Sequence, residues 1–386
     1  MRILFAGGGT GGHILPIIAV CREIKKIYPK KNLHLLYLGP KDDFDHALLS
    51  KEGIKVKHVL SGKIRRYFDW NAFYQNPLDI LFKIPVGIVQ AYFHIFFSSP
   101  DIIFSKGGFG SIQGAVAGWL LRVPIFLHES DIKPGFANRF ISKLALEVFA
   151  SFPKTEHFSY KKLILVGNPI RKELLTGSKE KAQKLFNLGG KKPVILILGG
   201  SQGAQRINDK ILENLPELLK SFEIIHQCGK RNFKEVKAES KAILTQDMIS
   251  SYHLFSFMEE EELKQAYAAC DFIVSRAGSG TIYEIAAVGK PSILIPLPEA
   301  AQNHQVNNAY AYAEGGAAIV LEENNFTSHF FLEKLKYLFY EMSDYKKNKE
   351  VLRPSEELRK MQEAALKFAR PESAKIIASY LIEYLK

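Results

Sequence analysis

Ile3-Leu4-Phe5-Ala6-Gly7-Gly8-Gly9-Thr10-Gly11-Gly12-His13-Ile14 is the stretch that decides how this chain folds. Its apolar start reads as a strand, its five glycines as a turn, and the apolar pattern over residues 14–24 as a helix. A strand, a glycine turn and a helix in that order open a parallel α/β unit. The first helical turn leaves N–H groups unpaired at the positive end of the helix dipole, so an anion is favoured there. Gly7, Gly9 and Gly12 satisfy the dinucleotide spacing G-x-G-x-x-G. That fingerprint also requires an acidic residue about 20 positions on, whereas the next strand, 33–38, ends in Gly39-Pro40. A nicotinamide dehydrogenase is therefore disfavoured. A tight turn alone needs one or two glycines, and the surplus here predicts a ligand that comes close to the backbone.

Strand-like runs and helical patterns alternate outward from this stretch, at 3–6, 33–38, 102–105, 125–128, 148–150 and 163–166. Gly167-Asn168-Pro169 breaks the series, which restarts at 194–198, 223–227, 254–257, 272–275, 292–295 and 318–321. The restart repeats the opening device, because its first strand runs into Gly199-Gly200-Ser201-Gln202-Gly203. The expected fold class is α/β, with two Rossmann-like parallel-sheet domains over 1–166 and 167–370 facing a central cleft. A last helix within 371–386, apolar on one face, is expected to cross back onto the first domain.

The chain has 386 residues and is 47% hydrophobic, enough for two cores and too apolar for disorder. A formal charge of +12 implies an anionic partner: nucleic acid, a membrane surface or a phosphorylated substrate. No nucleic-acid module signature is present, so nucleic acid is not expected. Cys21, Cys228 and Cys270 form no C-x-x-C pair and suit a reducing cytoplasm, and the immediate strand and turn after Arg2 leave no cleavable signal peptide.

A third turn, Ser275-Arg276-Ala277-Gly278-Ser279-Gly280-Thr281, runs into an apolar helix that carries Glu284 one turn inside. Backbone N–H groups there suit a phosphate, and Glu284 suits a ribose diol; a first-turn glutamate that only complements the helix dipole is the plainer alternative. Pro296-Leu297-Pro298 then leads to Gln302-Asn303-His304-Gln305, whose amides suit sugar hydroxyls.

The motifs FAGGGTGGHILP at 5–16, HESDIKPGFANR at 128–139, VGNPIR at 166–171, GGSQGAQRIN at 199–208, SRAGSGTIYE at 275–284 and NHQVNNA at 303–309 resemble the MurG family of bacterial peptidoglycan N-acetylglucosaminyltransferases. The resemblance spans nearly the whole chain. It implies a GT-B fold and transfer of GlcNAc from UDP-GlcNAc to a polyprenyl-pyrophosphate-linked MurNAc-pentapeptide, without cofactor or metal. It places Thr10, Gly11 and Gly12 at the donor cleft, Arg171 and Ser201 at the diphosphate, and Met258 beside uracil through its backbone. Gln202 and Asn208 join the same substrate-binding set. Ser279, Gly280, Thr281, Ile282 and Tyr283 form the helix-start site, Glu284 takes the ribose, and Gln305 reaches the GlcNAc hydroxyls. His13 is the expected general base, since an imidazole of ordinary pKa, about 6.5, accepts a proton at neutral pH; Glu129 is the other candidate. Two departures stand out. The family's His-Glu-Gln-Asn is His128-Glu129-Ser130-Asp131 here, which puts a carboxylate, Asp131, where the donor sugar expects an amide. Lys106-Gly107-Gly108-Phe109 replaces a tyrosine-bearing glycine segment. Asp43-Phe44-Asp45 reads formally as the metal motif of a different glycosyltransferase fold, but its position after the second strand predicts a solvated loop.

The resemblance also brings a membrane. Lys63, Arg65 and Arg66 precede Tyr67, Phe68, Trp70, Phe73 and Tyr74, a pairing of cations with aromatics that suits an anionic bilayer. The apolar run 84–97, interrupted by His94 and holding Pro85 and Gly87, is shorter than the roughly 20 residues of a spanning helix. Peripheral attachment to the cytoplasmic face of the cell membrane is the expectation, with other cell-wall synthesis proteins as further partners. Rivals are a UDP-sugar transferase with another lipid acceptor and a UDP-sugar-binding protein without turnover.

Overall fold

The computed structural model describes residues 1–8, 11–62, 76–77, 79–153, 155, 157–200, 203–339 and 355–386. The basic and aromatic run at 63–74 lies outside the described residues, as do Thr10, Ser201 and Gln202. The chain divides into two compact units, one of residues 1–171 with 371–386 and one of residues 172–370. The division falls after Arg171, not after Val166, and this puts Arg171 in the first unit.

The first unit is built on β1 (Arg2–Ala6), β2 (His34–Gly39), β3 (Lys55–His58), β4 (Ile102–Ser105), β5 (Ile125–Glu129), β6 (Glu147–Ala150) and β7 (Leu163–Leu165). These form one parallel sheet in the order β3-β2-β1-β4-β5-β6-β7. Side chains alternate across a strand, so Ile3 and Phe5 enter one core with Ile17, Val20 and Cys21 of the Gly11–Ile27 helix. Leu4 and Ala6 enter the opposite core with Ala91, Ile95 and Ala117. The Ser373–Tyr384 helix closes the first core through Ile377, Ala378 and Leu381, and Ser373 Oγ donates to the Val166 carbonyl at 2.6 Å.

The second unit repeats the plan with β8 (Val194–Leu198), β9 (Glu223–Gln227), β10 (Tyr252–Phe255), β11 (Phe272–Ser275), β12 (Ser292–Leu294) and β13 (Ala318–Val320), ordered β10-β9-β8-β11-β12-β13 and all parallel. Val194-Ile195-Leu196-Ile197-Leu198 is buried throughout, as a central parallel strand covered on both faces must be. Ile207, Ile211, Leu215 and Leu218 recur at helical spacing along Gln205–Ser221 and seal one face.

Four expectations change. β3 was not predicted, and β10 begins two residues early. Asp43-Phe44-Asp45 is no solvated loop: it opens the Asp43–Lys51 helix, and Asp45 is buried, which raises its carboxyl to about 6, with Asp42 adding to the effect. The apolar run 84–97 extends backward through a wide-turn segment, so that one continuous helix covers Asp79–Ser98, 20 residues long and apolar enough by length and composition to cross a bilayer. It packs on the Ile112–Leu120 helix through a face that includes Ala91 and Ile95, while Leu81, Phe82 and Phe97 are 66%, 62% and 78% exposed.

Candidate functional site

In both sheets the strand order reverses beside the first strand of the unit, at β1/β4 and at β8/β11. Ligands of open parallel sheets bind at the carboxyl ends of the strands at such switch points, and the glycine turns lie there.

In the first unit the turn after β1 is closely packed. Gly8 has φ +116°, and a Cβ there would meet Tyr37 Oη at 2.7 Å and Pro40 Cδ at 2.8 Å, so only glycine fits. Gly11 and Gly12 open the Gly11–Ile27 helix. His13, half-buried in the first turn, lies against the second glycine segment: a Cβ on Gly108 would come 2.9 Å from His13 Nε2. Glu129 ends β5 and is buried, its Oε1 accepting from the Asp131 N–H at 2.8 Å and its Oε2 from Asn138 Nδ2 at 2.7 Å. Asn138 Oδ1 in turn accepts from the Gly108 N–H at 3.2 Å, which ties the β4 and β5 loops together. Burial, then the Asp131 charge, push the Glu129 carboxyl up to about 7. Lys106 is buried beside it and donates to Ser130 Oγ; burial brings its ammonium down to about 8 against the pull of Glu129 and Asp131. His128 is buried, its Nε2 donates to the Gly167 carbonyl at 3.0 Å, and burial followed by the Lys106 charge keeps it neutral. Arg171 is buried at the end of this unit.

The second unit presents its glycines differently. A Cβ on Gly200, Gly278 or Gly280 would meet no atom within 4 Å. Gly200 has φ +79°, which by itself favours glycine, whereas neither packing nor a positive φ accounts for Gly278 and Gly280. The helices that follow, Gln205–Ser221 and Ser279–Ala287, start at Ala204 and Gly278 with no side-chain cap, the device that commonly serves a helix's first N–H groups. β8 and β11 are adjacent, so both helix starts stand at the ends of neighbouring strands. Glu284 is half-buried one turn along, and its Oε2 accepts from Tyr267 Oη at 3.0 Å. Ser279 is buried and Thr281 half-buried. Ile282 belongs to the core and Tyr283 packs on Phe368 with ring centroids 5.1 Å apart, so these two side chains face inward and only their backbone remains for a ligand.

Three other expected residues are engaged internally. Asn208 is fully buried, Nδ2 donating to the Cys228 carbonyl at 3.0 Å and Oδ1 meeting His226 Nε2 at 3.1 Å, so it braces the Gln205–Ser221 helix on β9. The Met258 N–H donates to Gln227 Oε1 at 2.8 Å. Gln305 Oε1 accepts from the Leu297 N–H at 3.0 Å and so holds the proline turn. The loop beyond β12 is further fixed by Arg276, which donates to the Ile295 carbonyl at 3.2 Å and pairs with Glu323 at 2.5 Å, and by Arg206, which pairs with Glu323 and Glu299. The motif reading had no role for Lys106, Asn138, Tyr267 or Arg276. Lys106 was visible only as a departure, and a lysine ending an apolar strand was its one signal.

Two parallel sheets whose switch points carry glycine turns, one of them with uncapped helix starts beside a carboxylate, define a two-domain α/β protein of the nucleotide-binding kind. Residues 3–150 match the glycosyltransferase family 28 N-terminal domain, and residues 194–366 match the family 28 C-terminal domain. The chain belongs to the family of UDP-N-acetylglucosamine–N-acetylmuramyl-(pentapeptide) pyrophosphoryl-undecaprenol N-acetylglucosamine transferases. It is 38% identical to the one from Clostridium tetani over 90% of this chain and 92% of that protein. It is 37% identical to transferase 2 of Bacillus cereus (strain ATCC 10987) over 89% and 93%. The GT-B fold is shared with the crystal structure of Acinetobacter baumannii MurG (TM-score 0.70, 23% identity, 99% of both chains). A UDP-GlcNAc 2-epimerase from Neisseria meningitidis, bound to UDP-GlcNAc, has the same fold (TM-score 0.66, 17% identity, 99% and 100% of the chains).

Proposed function

We propose that this chain transfers GlcNAc from UDP-GlcNAc to the 4-hydroxyl of MurNAc in undecaprenyl-pyrophosphoryl-MurNAc-pentapeptide, with inversion. The observation that carries the donor half is the pair of uncapped helix starts after β8 and β11, with open space at Gly200, Gly278 and Gly280. The transfer is one in-line displacement. The MurNAc oxygen forms its bond to the anomeric carbon as the bond to UDP breaks, and the electron pair leaves on the diphosphate. Fixed N–H donors and helix dipoles meet that charge without reorganising. Glu284, aimed by Tyr267, takes the ribose hydroxyls. The proton of the attacking hydroxyl goes to His13. Glu129 is the weaker candidate, because both of its oxygens already accept hydrogen bonds within the unit and its side chain is buried.

The acceptor's lipid calls for a membrane surface, and the exposed apolar residues of the Asp79–Ser98 helix support peripheral attachment on the cytoplasmic side. Incubation with labelled UDP-GlcNAc and a short-chain lipid-linked MurNAc-pentapeptide tests the reading. A β-1,4-linked disaccharide product is expected. Donor hydrolysis alone, or transfer only to a different lipid acceptor such as diacylglycerol, overturns it.

A further inference from the structure

Lys106 is 1% exposed, and lysines are almost never so buried unless paired. Its backbone N–H donates to the Ala6 carbonyl at 2.8 Å, which carries the β1/β4 ladder one residue past the strand end. The chain then leaves the sheet through Gly107 and Gly108, both at positive φ, and the side chain stays behind beneath the end of β5. There its ammonium donates to Ser130 Oγ, in the loop where Glu129 and Asp131 bring two carboxylates within two residues. The other groups at this point are few. His128 on β5 is neutral, the Phe136–Leu144 helix contributes the uncharged Asn138, and the Gly11–Ile27 helix brings His13 to Gly108. The Lys106 charge pulls the Glu129 carboxyl down, against the push of burial and of Asp131.

We propose that Lys106 is a positioning residue for the transfer reaction. Its buried ammonium balances the Glu129 and Asp131 carboxylates and anchors Ser130, and this holds the Glu129-Ser130-Asp131 turn in the shape that meets the sugar. The inference rests on the glycosyl-transfer reading above. It also explains how a carboxylate is tolerated at Asp131, where the resemblance expects an amide: the lysine supplies the compensating charge. Remove the lysine and two carboxylates face each other uncompensated. The buried one, already pushed up to about 7, then keeps its proton to higher pH, because a like charge nearby raises a carboxyl's pKa. A protonated Glu129 has one acceptor fewer for the Asp131 N–H and Asn138, and the turn loosens.

The test is a charge-balance cycle over Lys106→Met, Asp131→Asn and the double variant. Each is followed by ¹³C NMR titration of the Glu129 carboxyl, assigned with Glu129→Gln, and by kcat against pH on the soluble acceptor. Lys106→Met is expected to move the Glu129 titration upward by about one pH unit and to lower kcat at pH 7 about fivefold, because the ionised fraction of a carboxyl that starts at about 7 falls from about a half to about a tenth. The dissociation constant for UDP, which lacks the sugar, should not change. Adding Asp131→Asn should bring both readouts back toward those of Asp131→Asn alone. Should Lys106→Met fail to fold, Asp131→Asn by itself still decides, because it must move the Glu129 titration downward. The proposal is overturned if the double variant is no better than Lys106→Met, or if Asp131→Asn leaves the titration in place. If no variant, wild type included, transfers GlcNAc, the functional reading fails instead, and the NMR titration still reports on the charge balance.

Discussion

Gly280→Ala separates binding from folding, because the two respond with opposite sign. Gly280 is the second residue of the Ser279–Ala287 helix, has no positive φ, and a Cβ there meets nothing within 4 Å. Replacing a glycine by alanine at such a compatible position reduces the entropy of the unfolded chain and stabilises by about 0.4–1 kcal/mol. For a unit of this size that is a rise in Tm of about 1–4 °C. If the donor's phosphate or ribose sits on this helix start, the same methyl group occupies ligand space. The loss of one charge-assisted N–H contact, about 1.5–3 kcal/mol, weakens binding by about 10- to 150-fold at 1.4 kcal/mol per decade. Calorimetric titration with UDP-GlcNAc and a thermal melt on the same sample read both quantities. An unchanged Kd at a raised Tm refutes the donor site. A lowered Tm refutes the open space itself.

Glu284→Ala is expected to cost the same class of contact and weaken UDP-GlcNAc binding about 10- to 150-fold. Tyr267→Phe leaves the carboxylate but removes its 3.0 Å anchor, so its effect, an ordinary hydrogen bond of about 0.5–1.5 kcal/mol, should be several-fold smaller; equal losses would show that the tyrosine supports only the fold. His13→Ala should lower kcat by about 10²- to 10⁴-fold and abolish the acidic limb of the pH–rate profile with donor affinity intact; if that limb survives, the base lies elsewhere. Changing Leu81, Phe82 and Phe97 together to serine should release the protein from anionic vesicles while transfer to a soluble acceptor continues, as sedimentation and a parallel activity assay will show. Undiminished sedimentation would place the membrane contact outside this helix.

The sheets were legible because their strands are buried on both faces, which forces continuous apolar runs such as Ile102–Ser105 and Val194–Leu198. β3 was not legible: Lys-Val-Lys-His lies at the sheet edge, where burial asks little of the sequence. The helix from Asp79 was read short, because its first five residues wind as a wide π turn that no 3.6-residue period reveals. At the site, the glycine turns and Glu284 could be read from local order along the chain. Which glycines face open space could not, since Gly8 and Gly280 look alike in sequence but only Gly8 has a positive φ with Tyr37 and Pro40 behind it. Lys106 and Tyr267 escaped for the same reason. Each acts on a residue 17 or more positions away through a contact that only the folded sheet creates.

The first unit receives residues 371–386 only after the whole of residues 172–370 has been made. During synthesis the second unit therefore has its full sequence first, and it can complete its core while the earlier one still lacks Ile377, Ala378, Leu381 and Ile382. Until that late helix docks on the Gly11–Ile27 helix, the nascent protein carries an uncovered apolar face. Synthesis of residues 371–386, not the emergence of the β1 turn, thus sets when the helix that carries His13 is finally covered.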